Sequence, residues 1–339
     1  MKFDTDLYLN AAASWLPEVV PLRDAVAQGL VDAEHQNLGY ESIAIADGLS
    51  GPELAVRAGR LAVQRSGIDP QDVGLVLHSS CGFQGHEMWP TASYVANETV
   101  GAAAAGFDLQ QRCNAGLGSL CLAAGYIATG FTPAVLLTSG DNFAAPWVDR
   151  WNVQLNLIFA DGGSALVLSE RPGFARLVSA CLGAENSLER WNRGLEPFAT
   201  TPGQEIPLRL RERGMQHAVT PEAEGSWERY QNVLMATTEQ ALADAGVSTA
   251  EIARVAMPLI HRGESPENYE LLGFTEKQST WDIGRHVGHI GAGDQFLGLE
   301  HLVEEGSVSP GDLVLLVAAG AGFSYSAAVV EILDVPAWS

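Results

Sequence analysis

Cys113 is the residue of this sequence best placed to act as a nucleophile. It stands where a strand of mixed character gives way to a helix that opens on the small residues Ala115, Gly116 and Gly118. A thiol at a helix N-terminus faces the positive end of the dipole and unpaired N–H groups, both of which favour the thiolate. The plainer alternative is one more buried cysteine, which is how Cys121 and Cys181 read. Further along, the run Arg285-His286-Val287-Gly288-His289-Ile290-Gly291-Ala292-Gly293-Asp294 offers His289, an imidazole able to take a proton from Cys113 or from an incoming acceptor. Asp294 could hold the His289 tautomer, as could Glu264. Its i,i+5 spacing is poor for a direct bond, and an acid there also reads as a complement to a helix N-terminus. His286, His289 and Asp294 lack a fourth ligand, so no metal is expected. His78, His86 and His217 read as structural or solvent-facing.

For Cys113 and His289 to cooperate, two distant segments must meet, and the chain repeats itself in a way that would bring them together. Glu53 to His78 reads as a helix, a Ser66-Gly67-Ile68-Asp69 turn and an apolar strand. Gln231 to Met257 follows the same plan through Ala245-Gly246-Val247-Ser248. Phe107 to Cys113 then matches Ile283 to His289, so Cys113 falls on His289. Each is followed by a helix ending at a glycine, Gly130 or Gly306, and an apolar strand. Strands alternating with helices predict an α/β fold built twice, with a pseudo-two-fold axis near which equivalent strand-to-helix junctions converge. The halves are read as residues 1–172, carrying the cysteine, and 173–339, carrying the histidine. An insertion at about 185–227, rich in Gly, Pro and polar residues, interrupts the second.

The 339 residues are 47% hydrophobic and 18% charged, enough apolar material for a sizeable core. A net charge of -22, from 41 acidic against 19 basic residues, would repel nucleic acid and anionic membranes. The longest apolar stretches are interrupted and too short for a membrane span. Acids near the start, where a secretory signal would carry positive charge, predict a cytoplasmic protein. Cys81, Cys113, Cys121 and Cys181 form no CxxC pair and read as free thiols.

Asp108-Leu109-Gln110-Gln111-Arg112-Cys113-Asn114-Ala115-Gly116, Phe159-Ala160-Asp161-Gly162-Gly163-Ser164-Ala165 and Gly320-Ala321-Gly322-Phe323-Ser324, in that order, resemble the ketoacyl-acyl carrier protein synthase III family of thiolase-fold enzymes. The resemblance implies a five-layered αβαβα fold, a homodimer, no cofactor, and Cys113 as the residue acylated by a thioester. It also implies an oxyanion hole made by the backbone N–H groups of Cys113 and Ala321, and an acyl pocket walled by Trp89 reaching across the dimer interface.

The chain departs from the family pattern twice. Decarboxylating members carry His in a His-Gln-Ala-Asn motif and an Asn at the second helix start. Here the first place reads Leu259-Ile260-His261-Arg262-Gly263-Glu264, displacing the histidine to His261, and the second carries His289. The departures resemble a divergent acyltransferase branch associated with polyketide and antibiotic biosynthesis, which moves a ready-made acyl group to a hydroxyl, amine or carrier thiol. Two other readings stay open: a decarboxylative synthase using His261, and a catalytically silent partner subunit. Where relatives that accept coenzyme A have an Arg-rich segment, Leu30 to Tyr40 has no Arg or Lys. An acyl carrier protein is therefore the expected donor, with Arg209, Arg211 and Arg213 as its candidate docking patch.

Overall fold

The computed structural model describes residues 5–261 and 268–338. The first half runs β1 (Leu7–Trp15), β2 (Val19–Pro21), α1 (Leu22–Ala27), β3 (Ser42–Ala44), α2 (Gly51–Ser66), β4 (Val73–Ser79), α3 (Thr91–Thr99), β5 (Ala105–Leu109), α4 (Ala115–Ala128), β6 (Ala134–Asp141) and β7 (Gly162–Ser169). The second runs β8 (Ala175–Ala184), α5 (Arg190–Arg193), α6 (Leu210–Ala218), α7 (Ser226–Ala245), β9 (Ile252–Ala256), α8 (Asn268–Leu271), α9 (Trp281–Val287), α10 (Asp294–Glu304), β10 (Leu313–Gly320) and β11 (Ser324–Ile332).

Nine strands are hydrogen-bonded in the order β5-β4-β6-β7-β1-β8-β11-β10-β9. Outward from the β1–β8 junction the two sides have the same plan: β7 and β11 run antiparallel to their neighbours, and β6–β4 and β10–β9 are parallel pairs or parallel neighbours. Every residue of β6 and β7 is buried, the mark of strands covered on both faces. Helices α2 and α3 lie on the outer face of the first half-sheet, α7 on that of the second, and α4 and α10 between them. That is the αβαβα layering.

The central layer explains the unbroken apolar character of α4, whose Leu117, Leu120 and Ile127 share one core with Leu299 and Leu302 of α10 and with strands of both halves. A helix apolar on all sides is stable only when enclosed. Each of these fully buried side chains contributes roughly 1.5–3 kcal/mol. Among the described residues no helix is long and apolar enough to cross a membrane.

The repeat is imperfect at one place. Ile283 to Val287, matched in sequence to the strand before Cys113, is helical. Trp281, Gly284 and Val287, three apart, bury one face of α9. The counterpart of β5 shrinks to a single bridge between Ser279 and Val255. His286 accordingly lies on a helix, half-exposed and 3.8 Å from Glu41, rather than at a strand end.

Candidate active site

Cys113 lies in a single 3-10 turn, Arg112–Asn114, that opens α4. The residue before it, Arg112, has φ 51, a strained backbone for a side chain with a Cβ. On the other side of the pseudo-dyad, His289 is pinned by strand-like bonds: its N–H donates to the Ile158 carbonyl (3.2 Å) and its carbonyl accepts from Ala160 N–H (2.8 Å). The helix starts carrying the two residues are in direct contact. A Cβ on Gly116 would sit 2.0 Å from the Ala292 carbonyl oxygen, so only glycine permits this approach.

His289 Nε2 is 2.9 Å from Cys113 Sγ, and His289 Nδ1 is 2.5 Å from Asp294 Oδ2. Both His289 and Asp294 are wholly buried. The i,i+5 objection to this pair does not apply, because His289 precedes the helix. Gly291, at φ 82, and the turn to Gly293 fold the chain back so that Asp294 opens α10 facing the imidazole. Asp294 also accepts from Leu259 N–H (2.7 Å) and Ile290 N–H (3.0 Å), so its carboxylate is fixed on three sides. Nδ1–H donating to the carboxylate leaves Nε2 to exchange a proton with the thiol. Phe159 stacks on His289 (5.4 Å between ring centroids) and Phe143 on Phe159 (4.2 Å).

The electrostatics favour a thiolate–imidazolium pair. A hydrogen bond from the Cys81 thiol is the largest influence holding Cys113 well below the usual cysteine range; burial opposes it, and the charge and hydrogen bond of His289 add to it. Burial pulls the His289 imidazole down, but the charges of Asp294 and Cys113 and the bonds to both raise it well above the ordinary histidine value.

Asp161, from the Phe-Ala-Asp-Gly-Gly motif, holds the wall of the site. It is fully buried, takes a bidentate pair from Arg150 (2.7 and 2.9 Å) and accepts from Phe143 N–H (2.8 Å) and Ala46 N–H (2.9 Å). Ala321 lies in the turn between β10 and β11. That turn packs on the nucleophile's segment: Gly320 is so close that a Cβ would be 2.2 Å from the Gln111 carbonyl. Ala321 is not among the residues with positive φ, so its side chain is tolerated.

Other expected site residues are placed elsewhere. The His261 ring lies 4.9 Å from that of Trp281 and beside Gly39. Trp89 is half-buried between His86 (5.5 Å) and Tyr94 (5.7 Å), away from the apolar cluster around its own chain's Cys113. Glu264 lies outside the described residues.

Arg209, Arg211 and Arg213 do not form a bare cationic patch. Arg209 and Arg213 pair with Glu205, and Arg211 with Asp32 and Glu34, because the insertion folds back onto acids from other segments. Asp32, Glu34 and His35 are the one group of metal-ligating types that cluster within 4.8 Å among the described residues, and the Arg211 guanidinium lies against both carboxylates. His78 is buried between Thr138 (3.0 Å) and Gln84 (3.1 Å). His217 is buried in α6.

Several residues of the site carry no sequence signal. Leu208 and Leu210, from the insertion, pack onto the cluster containing Phe143, Val148, Val153 and Leu157 beside Cys113. Backbone bonds from Leu208 N to Trp147 O (2.9 Å) and Arg211 N to Val153 O (3.0 Å) fasten that covering segment. Cys81, read from the sequence only as a free thiol, belongs to the same cluster.

The sequence features of 3-oxoacyl-(acyl-carrier-protein) synthase III match residues 107–186, and those of its C-terminal part match residues 242–332. The solved structure of ChlB3, described as an acyltransferase, superposes with a TM-score of 0.93 at 34% identity, covering 98% of this chain and 100% of that one. This chain belongs to the 3-oxoacyl-(acyl-carrier-protein) synthase III family. The beta-ketoacyl-(acyl-carrier-protein) synthase III of Thermosynechococcus vestitus is 26% identical over 332 residues, 96% of this chain and 93% of that protein. The priming beta-ketosynthase of the R1128 polyketide pathway shares the synthase III fold, with a TM-score of 0.76 at 19% identity over 99% of each chain. Members of the synthase III family are enzymes, transferases or condensing enzymes by class.

Proposed function

We propose that this member of the family is an acyltransferase that carries an acyl group through Cys113 to an acceptor hydroxyl, amine or carrier thiol. The observation that carries the reading is the Cys113–His289–Asp294 line, at 2.9 and 2.5 Å. A decarboxylating condensation needs donors aimed at an enolate oxygen. Here the place of the family's Asn is taken by an imidazole locked between a thiol and a carboxylate, and His261 packs on Trp281.

In the first step the Cys113 thiolate attacks the donor's thioester carbon, and the donor sulfur leaves and takes a proton from the His289 imidazolium. The N–H groups of Cys113 and Ala321 stabilise the oxyanion. In the second step the acceptor's proton goes to neutral His289 Nε2 as its heteroatom attacks the acyl carbon, and the electron pair of the broken C–S bond returns to Cys113. Asp294 holds the tautomer throughout.

An acyl carrier protein is the donor in this reading, since only a flexible arm need enter and Leu30 to Tyr40 has no Arg or Lys to bind nucleotide phosphates. The protein acts as a cytoplasmic homodimer through the edge of β5, where Phe83, Met88 and Phe107 are exposed beside unpaired strand groups. Across that edge Trp89 would wall the acyl pocket. The product class is polyketide-type secondary metabolites.

Intact-mass measurement with a panel of acyl thioesters tests the reading. An acyl adduct on the parent and none on Cys113→Ala is expected. Carbon dioxide release from a malonyl thioester during turnover, or no adduct with any thioester, would overturn it.

A further inference from the structure

The oxyanion hole of the reading above takes one N–H from Cys113 and one from Ala321, on segments far apart in the chain, so their spacing has to be set by tertiary contacts. Asn114, the residue after the nucleophile, reaches across the gap between them. It is 2% exposed, and its amide Nδ2–H donates to Ser324 Oγ (3.1 Å), 210 positions along the chain. Ser324 faces Gly320 where β10 and β11 pair, and the two close a turn that holds Ala321, Gly322 and Phe323. The far side of this turn is fixed to the second half. Phe323 exchanges two backbone bonds with Glu185 (2.9 and 3.2 Å), and its ring meets Trp191 and Tyr230 edge-on (5.4 and 5.5 Å).

The near side meets the nucleophile's segment in two complementary ways. Contact sets the closest approach: a Cβ on Gly320 would be 2.8 Å from both the N and the Cβ of Asn114. The bond from Asn114 to Ser324 sets the widest separation. Stability does not account for an amide at this place. Among the described residues no protein group bonds Asn114 Oδ1, although that atom is buried. A buried amide with part of its bonding capacity unmet serves folding less well than an apolar side chain of the same shape.

We propose that Asn114 is a positioning residue for the oxyanion hole: its bond to Ser324 spaces the Ala321 N–H against the Cys113 N–H. Neither Asn114 nor Ser324 touches the reacting atoms. Two donors accelerate addition to a carbonyl only when both stand about 2.7–3.1 Å from the place the oxygen takes once it is charged. A turn free to drift would lose the transition state more than the bound thioester, so the bond acts on rate. It serves both steps. In each, a heteroatom adds to the acyl carbon, the carbonyl oxygen takes up the electron pair, and its return expels a sulfur.

The inference rests on the acyltransferase reading, and two rates measured on the same sulfur keep the two apart. Alkylation of Cys113 by iodoacetamide is a displacement at saturated carbon and forms no oxyanion. Acylation by the acetyl, butyryl and benzoyl thioesters of N-acetylcysteamine does form one, and intact mass follows it. Both are measured on the parent, Asn114→Leu, Ser324→Ala, Ser324→Thr and the variant carrying Asn114→Leu with Ser324→Ala, with folding checked by circular dichroism. Asn114→Leu and Ser324→Ala are each expected to slow acylation about 10- to 100-fold, no more than the outright loss of one oxyanion donor, with alkylation within about twofold of the parent. Ser324→Thr, which keeps the acceptor hydroxyl, is expected to acylate within about threefold of the parent. The double variant should be no slower than the slower single variant by more than about twofold, because either change breaks the same bond. Alkylation and acylation falling together, single variants that acylate like the parent, or a double loss equal to the product of the single losses would overturn the proposal and leave the acyltransferase reading standing. A parent that is alkylated but takes no acyl group from any of the three thioesters would overturn both.

Discussion

His289 Nε2 stands 2.9 Å from Cys113 Sγ although 176 positions of chain separate the two residues. They meet because each occupies the start of a helix in the central layer, and the helix starts touch at Gly116 and Ala292.

Replacing His289 with Ala is expected to leave the fold intact and slow acyl transfer by at least ~10²-fold, the lower end for losing a general base. Single-turnover transfer from a preformed acyl-enzyme measures it. A near-native rate would move the role of base to another residue.

Asp294→Asn should change a pH profile rather than only a rate. The ion pair exists above the depressed pKa of Cys113 and below the raised pKa of His289. Asp294 charge supports the upper edge, so its loss is expected to lower that edge and narrow the window from the alkaline side, read as the alkaline limb of the pH–rate profile for acylation by a thioester, in which protonated His289 must give its proton to the leaving sulfur. A window that narrows from the acid side alone would contradict the assignment.

Much of this arrangement could be read from the residues beforehand, because helix starts, glycine stops and apolar strands leave local patterns. The pairing of Cys113 with His289 followed from the repeat. Asp294 looked poorly spaced because the i,i+4 rule presumes one continuous helix, and the left-handed turn at Gly291 breaks that premise. The stretch from Ile283 was read as a strand from its counterpart, but the buried Trp281, Gly284 and Val287 favour a helical face. Cys81 and Asp141, sixty residues apart, had no local signature at all. Nor did the ion pairs that occupy Arg211 and Arg213, since charge partners from separate segments are a tertiary property.

Gly116→Ala is expected to destabilise the protein by roughly 1–3 kcal/mol, since its methyl must push the Ala292 carbonyl away. Denaturant midpoints give the stability change, and the same variant should show a larger fall in acylation rate than in folded fraction. An unchanged acylation rate would mean that the helix contact does not set the sulfur–imidazole distance.

Leu208→Ala and Leu210→Ala should widen the apolar cover over Cys113. The expected outcome is a shift of acylation toward bulkier acyl thioesters, with Cys113 alkylation by small reagents unchanged. A uniform fall across all donors would place these residues in folding rather than selection.

Since the gap between sulfur and imidazole is held by main chain against main chain, ordinary substitution deeper in the layers has little leverage over the chemistry. A lineage with this fold can remodel its walls and covering loop for new cargo while leaving the reactive couple alone, provided that it never adds so much as a single carbon at position 116.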